Sequence, residues 1–309
     1  KLEAALQLLN GPDFSPLESP PARLELHPGR SALHFRFPTP QPGAFVENNI
    51  VYGRLYRCAK EWQTRPVLIL LHGAGGTDYY LEFPRMAREA NRAGFNVATL
   101  IAPLQSRRRP RRLSGLAWPD YLVTAQVCYA QAVAEIRALT GWLLAQGCPA
   151  VALWGNSYGG ALAGLTACYD ARLSAVVLVA PGLDMNVFLS AASHIAWPGL
   201  RAELLKEQPA CEALNRTALN LATLRPCIPK ENLLLIEAIH DLFVARESME
   251  ALWCAWKKPD IWRLPHGHAS KTFSRDLTGR VLRWLAPRLG KDILRSRGHV
   301  RGVRTTFPQ

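Results

Sequence analysis

Gly155-Asn156-Ser157-Tyr158-Gly159 follows the apolar run Ala150-Val151-Ala152-Leu153-Trp154 and precedes Gly160-Ala161-Leu162-Ala163-Gly164. The apolar run reads as a buried strand, and the small residues read as a helix able to lie close to its neighbours. A serine between them sits on a turn tight enough to strain its backbone. Glycines two residues to either side leave room where strand and helix cross. Strand, G-x-S-x-G, helix is the setting that lifts a serine hydroxyl to the C-terminal edge of a sheet. There it stands at the head of a helix whose dipole favours negative charge.

A serine hydroxyl is a poor nucleophile unless a base takes its proton, and the base needs a partner to orient it. Asn232-Leu233-Leu234-Leu235-Ile236-Glu237-Ala238-Ile239 reads as a buried strand and runs into His240-Asp241-Leu242-Phe243-Val244. Asp260-Ile261-Trp262-Arg263-Leu264 reads as a further short strand and ends in Pro265-His266-Gly267-His268-Ala269. An acid and a histidine therefore each fall just past a strand end. Upstream, Val67-Leu68-Ile69-Leu70-Leu71 has the continuous apolar character of a strand buried on both faces. It ends in His72-Gly73-Ala74-Gly75-Gly76. A glycine-rich loop there supplies one backbone N–H of an oxyanion hole, and the residue after the serine supplies the other. Here those are Ala74 and Tyr158.

Four motifs in this order, Leu71-His72-Gly73-Ala74-Gly75-Gly76, Gly155-Asn156-Ser157-Tyr158-Gly159-Gly160, Ile239-His240-Asp241-Leu242-Phe243-Val244 and Pro265-His266-Gly267-His268, resemble the α/β-hydrolase superfamily. The resemblance covers roughly residues 50 to 290. The nearest branch looks like the dienelactone-hydrolase-like and other poorly characterised hydrolase-domain proteins. Where a dienelactone hydrolase has its nucleophilic cysteine this chain has Ser157, so that particular chemistry is not implied. The resemblance implies a mostly parallel twisted sheet with helices on both faces and a small helical lid. It also implies a catalytic triad of Ser157, Asp241 and His268.

Two of these assignments have competitors. His266 stands two residues before His268; the Gly267-His268 pair, on the loop beyond the strand, favours His268. Asp184 lies just past the preceding strand, where some relatives of this fold take their acid. The residues around Asp241 fit the family pattern better. His72 reads as a structural residue that orders the oxyanion turn, and His194 and His240 as surface or lid residues.

The rest of the chain fits an alternating α/β plan. Residues 31–37 and 51–56 alternate as strands of an antiparallel edge, ahead of the strand at 67–71. A helix is expected from Tyr80 to Arg92, a strand from Phe95 to Leu100, a long helix from about Asp120 to Gln146, and a buried strand from Ala175 to Ala180. The expected divisions are an N-terminal extension with the first strand (1–49), the first part of the core with the serine (50–180) and a lid insertion (181–230). The second part of the core (231–289), with the acid and the histidine, and a basic tail (290–309) complete the chain. The segment from Pro181 to Lys230 is too long for a simple crossover. Its Phe188 and Trp197 are candidates for lining the substrate pocket.

Charge and cysteine usage narrow the partners. The formal charge is +13, and Arg107-Arg108-Arg109-Pro110-Arg111-Arg112 places five arginines in six residues. This run follows a strand on the catalytic edge and is a candidate contact for an anionic membrane surface. No nucleic-acid-binding signature accompanies it, so no nucleic acid is expected. The seven cysteines have no metal-type spacing. Neither a metal nor a cofactor is expected, and Cys211 and Cys227 are the one candidate pair. Lys1-Leu2-Glu3-Ala4-Ala5-Leu6 lacks the charged-then-apolar layout of a secretion signal, so a cytoplasmic location is expected.

The function read from these residues is a serine carboxylesterase or lipase-like hydrolase of small-molecule or lipid acyl esters. Amide or thioester cleavage, or acyl transfer, would use the same triad. A reading of another class is a non-catalytic module that binds lipid or a partner.

Overall fold

The computed structural model describes residues 23–43, 45–111, 118–182, 220–268 and 276–290, with backbone alone for 118–127. Its strands are β1 (Glu25–Pro28), β2 (Leu33–Pro38), β3 (Ile50–Tyr56), β4 (Val67–Leu71), β5 (Asn96–Leu100), β6 (Val151–Asn156), β7 (Ala175–Val179), β8 (Leu233–Ala238) and β9 (Asp260–Leu264). Its α-helices are α1 (Thr77–Leu81), α2 (Phe83–Arg92), α3 (Trp118–Ala145), α4 (Tyr158–Tyr169), α5 (Arg246–Ala255) and α6 (Leu277–Leu285).

All nine strands share one sheet in the order β1-β2-β3-β5-β4-β6-β7-β8-β9. The pairs β1–β2, β2–β3 and β3–β5 are antiparallel, and the rest are parallel. Every residue of β4, β5, β6, β7 and β8 is buried, as the unbroken apolar runs of β4 and β7 require; Asn96, Thr99, Asn156 and Glu237 are the polar residues buried with the others. Alternate residues serve opposite faces. Val67, Ile69 and Leu71 join the core formed with α3, α4 and α5, whereas Leu68 and Leu70 join the core formed with α1, α2 and α6. Helix α2 buries Phe83, Met86, Ala87 and Ala90, spaced as one helical face, and each large side chain so buried stabilises by about 1.5–3 kcal/mol.

The strand order positions the site. From β4 the chain passes to β5 on one side; from β5 it returns to β6 on the other side of β4. The loops leaving β4 and β6 therefore diverge, and the crevice at their C-terminal ends is where open parallel sheets bind ligands.

The expected helix from Tyr80 to Arg92 is two helices, α1 and α2, broken at Glu82 ahead of Pro84. Pro84 lacks an N–H donor and fits only the first turn of a helix. Strand β1 has no counterpart in the sequence reading: it is four residues long, all of them exposed at the sheet edge. Of the segment 181–230 expected to form a lid, residues 183–219, with Phe188, Trp197, the rival acid Asp184, and Cys211, lie outside the described residues. The Cys227 thiol donates to the Cys168 carbonyl at 2.9 Å.

Candidate active site

Ser157 caps α4 at φ +53° and ψ −113°, a backbone conformation that costs a non-glycine residue about 1–3 kcal/mol. The neighbouring glycines make the turn possible. A Cβ on Gly155 would collide with the backbone of Gly159, and one on Gly159 would collide with the Leu71 carbonyl. The Ser157 amide donates to the Val179 carbonyl at 2.8 Å, which ties the turn to β7.

Two further loops reach this serine. The Ser157 Oγ lies 2.9 Å from His268 Nε2, and His268 Nδ1 lies 2.7 Å from Asp241 Oδ2. A carboxylate only accepts, so Nδ1 carries the hydrogen and Nε2 presents its lone pair to the serine hydroxyl. The Asp241 side chain is 1% exposed and that of His268 is 23% exposed, so the carboxylate is sealed while the imidazole reaches the crevice. Asp241 Oδ1 accepts the amides of Phe243 (2.8 Å) and Val244 (3.1 Å). Those bonds fix the carboxylate's orientation from its own turn. The Phe243 ring packs 5.2 Å from the imidazole. Strands β8 and β9 are neighbours, and the His240 amide donates to the His266 carbonyl at 3.1 Å. That pairing brings the acid turn and the histidine loop together, with His268 rather than His266 on the serine.

The glycine-rich loop after β4 is held by groups that the sequence reading missed. Asp78 accepts the Gly73 amide at 3.0 Å and the Asn156 side chain at 3.3 Å, joining this loop to the serine turn. Gln105 accepts the Gly75 amide at 2.8 Å, and Gly76 donates to the Gly73 carbonyl at 3.2 Å. Among the described residues the exposed Ala74 is thus the one member of Gly73–Gly76 whose amide has no acceptor. Tyr158 is the first residue of α4, where amides have no acceptor within the helix.

His72 has the structural role expected of it. Its buried Nε2 accepts the Ala102 amide at 3.0 Å, so Nδ1 carries the hydrogen and donates to the Gly73 carbonyl at 2.7 Å. Burial lowers its pKa, outweighing the Gly73 carbonyl and the charge of Asp78. Below about 6.5 the unfolded chain takes up a proton that the folded imidazole refuses, so stability present above that pH is lost as pH falls. Unfolding free energy should therefore drop between pH 6.5 and 5, and His72→Asn should show a shallower drop. Equal slopes by denaturant titration would contradict this.

The arginine run is not one surface. Arg107, Arg109 and Arg111 are exposed, but Arg108 is 0% exposed. It donates to both Glu135 carboxylate oxygens, at 2.6 and 2.7 Å, and to the carbonyls of Ile101 and Asn48. Arg108 is thereby removed from any membrane-facing set, and Arg112 lies outside the described residues. The Asn48 side chain accepts the Leu104 amide at 2.8 Å, and Gln131 donates to the Asn48 carbonyl at 2.8 Å. This buried node anchors the loop that carries Gln105. Among the described residues no cluster of His, Cys, Asp or Glu could hold a metal ion, and no helix is long and apolar enough to cross a membrane.

A mostly parallel sheet whose sixth strand turns through a strained serine into a helix, with the acid turn and histidine loop beyond β8 and β9, is the α/β-hydrolase fold. The chain belongs to the alpha/beta hydrolase family, whose model matches residues 68–302. An uncharacterized protein of Mycobacterium tuberculosis is 28% identical over 250 residues, 77% of this chain; the chain spans 59% of that relative's length. Solved structures share the fold at low identity. Acetyl xylan esterase 1 from a Thermoanaerobacterium species has a TM-score of 0.62 at 14% identity, covering 95% of this chain and 92% of its own. An acetyl xylan esterase from a Paenibacillus species has a TM-score of 0.60 at 18% identity, covering 91% and 92%. An esterase of Pyrococcus furiosus has a TM-score of 0.57 at 14% identity, covering 87% and 92%.

Proposed function

We propose that the protein hydrolyses carboxylic esters through an acyl-enzyme on Ser157. The observation that carries this is the chain of contacts from Ser157 Oγ to His268 Nε2 (2.9 Å) and from Nδ1 to Asp241 (2.7 Å). The serine oxygen attacks the acyl carbon and its proton passes to His268 Nε2. The imidazolium so formed is stabilised by the buried Asp241 carboxylate. The carbonyl oxygen becomes an oxyanion, received by the amides of Ala74 and Tyr158. Collapse of the tetrahedral intermediate breaks the bond to the alcohol oxygen, which leaves with the proton from His268. Water, deprotonated by the same imidazole, then attacks the acyl-enzyme, releases the acid and restores the serine. The names of the structural neighbours agree with ester substrates. Rapid mixing with 4-nitrophenyl acetate should give a burst of nitrophenol equal to the enzyme concentration if deacylation is the slower step. Absence of all ester turnover would refute the reading.

The rim of the site suits an anionic lipid surface as the place where such esters are met. Arg107 and Arg109 follow β5 on the catalytic edge, Arg107 stacking 3.9 Å over the Tyr52 ring. Leu81, past β4, and Leu242, past β8, are 73% and 72% exposed. Replacing Arg107 and Arg109 by Gln should weaken binding to phosphatidylglycerol vesicles at low salt and leave binding to phosphatidylcholine unchanged. Equal, salt-independent binding by both proteins would remove the arginines from this role.

A further inference from the structure

The described residues line a mainly apolar pocket of about 160 Å³, open on one side, beside the serine, with Pro181, Leu221, Phe243, Val244, Met249 and Leu252 in its wall and no charged side chain among its described lining residues. Two of these residues also bind the acid: the Phe243 and Val244 amides hold Asp241, and the Phe243 ring packs on His268. The wall is thus continuous with the serine's partners. Gly182, which follows Pro181, leaves the passage open. A Cβ there would stand 3.9 Å from Ser157 Oγ and 4.0 Å from Val244 Cγ2, with no other described atom as near. Both the nucleophile and the cavity wall therefore border one empty point.

We infer that this cavity is the acyl subsite, entered past Gly182, and that it takes an uncharged apolar acyl group of about four to six carbons or a single aromatic ring. The inference rests on the ester-hydrolase reading and names the substrate class within it. Size sets the scale, since a space of about 150 Å³ accommodates one benzene. Lining chemistry sets the class. A carboxylate at the far end of the acyl chain would lose its water with no cation among the described lining residues to meet it, so half-esters of dicarboxylic acids are expected to be poor substrates. Asn220 and Ser248, also in the wall, are polar but uncharged.

The test is kcat/KM for 4-nitrophenyl acetate, butyrate, hexanoate and decanoate, with the wild type, Gly182→Val and Ala222→Leu. Gly182→Val narrows the passage; Ala222→Leu fills the cavity from a different element and serves if the first variant fails to fold, as judged by its melting curve. The wild type should prefer butyrate or hexanoate to both acetate and decanoate. Each folded variant should lower the butyrate-to-acetate ratio by about tenfold or more, the scale of a one- or two-carbon mismatch in an apolar pocket. Unchanged ratios with an active enzyme overturn the inference and leave the ester-hydrolase reading standing. So does a shift seen only across acetate esters of ethyl to hexyl alcohols, which would put the alcohol in the cavity. A wild type that turns over no ester overturns both.

Discussion

Ser157→Ala is expected to lower ester turnover by about 10⁴-fold or more while the fold persists. The hydroxyl is the sole atom lost, and it stands on a turn whose shape is imposed by Gly155, Gly159 and the bond to Val179, not by the serine side chain. His268→Ala should cost about as much, because base and nucleophile act as a unit, and the double variant should be little worse than either alone. Asp241→Asn should cost less. The amide can still occupy the turn but no longer stabilises the imidazolium or sets the tautomer with a charge. Progress curves on 4-nitrophenyl butyrate, alongside melting curves, read these effects. If Asp184→Asn abolished activity while Asp241→Asn spared it, the acid would have been misassigned despite the 2.7 Å contact to His268.

Glu135→Leu is expected to be the most damaging substitution away from the triad, costing about 3–5 kcal/mol of stability. Both side chains of the Arg108–Glu135 pair are 0% exposed. Removing the carboxylate strands a guanidinium in the interior, with only the Ile101 and Asn48 carbonyls left to meet it. Its Nε already lacks a partner, so the pair is not over-satisfied. Removing both charges together, as Arg108→Met with Glu135→Leu, should recover most of the loss, since apolar replacements of similar volume are often neutral. Denaturant midpoints for the two singles and the double give the coupling directly. A Glu135→Leu protein as stable as the wild type would contradict the account. The double variant carries a second consequence. Arg108 pins the loop that bears Gln105, which holds Gly75, so its activity should fall even where its stability recovers.

The contrast between these two predictions marks what the sequence could disclose. Ser157 and Asp241 were legible because each follows a run that reads as a buried strand, and His268 because it follows a further short strand, which is only partly buried. Parallel strands carry their C-terminal ends to one edge, so position along the chain translates into proximity. The glycine-rich loop after β4 was legible for the same reason. Asp78 and Gln105 were not: each acts through one or two hydrogen bonds across a loop, and no periodicity or spacing marks such contacts. Arg108 was actively hidden. Set among four other arginines it read as surface charge, and its partner Glu135 lies on a different element, 27 positions away, with no local pattern to join them. Strand β1 was missed because its four exposed residues, closed by Pro28, lie in a proline-rich stretch and bury no face. The break between α1 and α2 was signalled by Pro84, which the helical pattern around it outweighed.

The central claim, that Ser157 is a nucleophile activated through His268, is tested most directly by labelling with a fluorophosphonate and mapping the adduct by peptide mass spectrometry. The account predicts one equivalent of label, on Ser157, with labelling slowed by orders of magnitude in His268→Ala. No adduct on the folded wild-type protein, or an adduct on another residue with Ser157 unmodified, would contradict it.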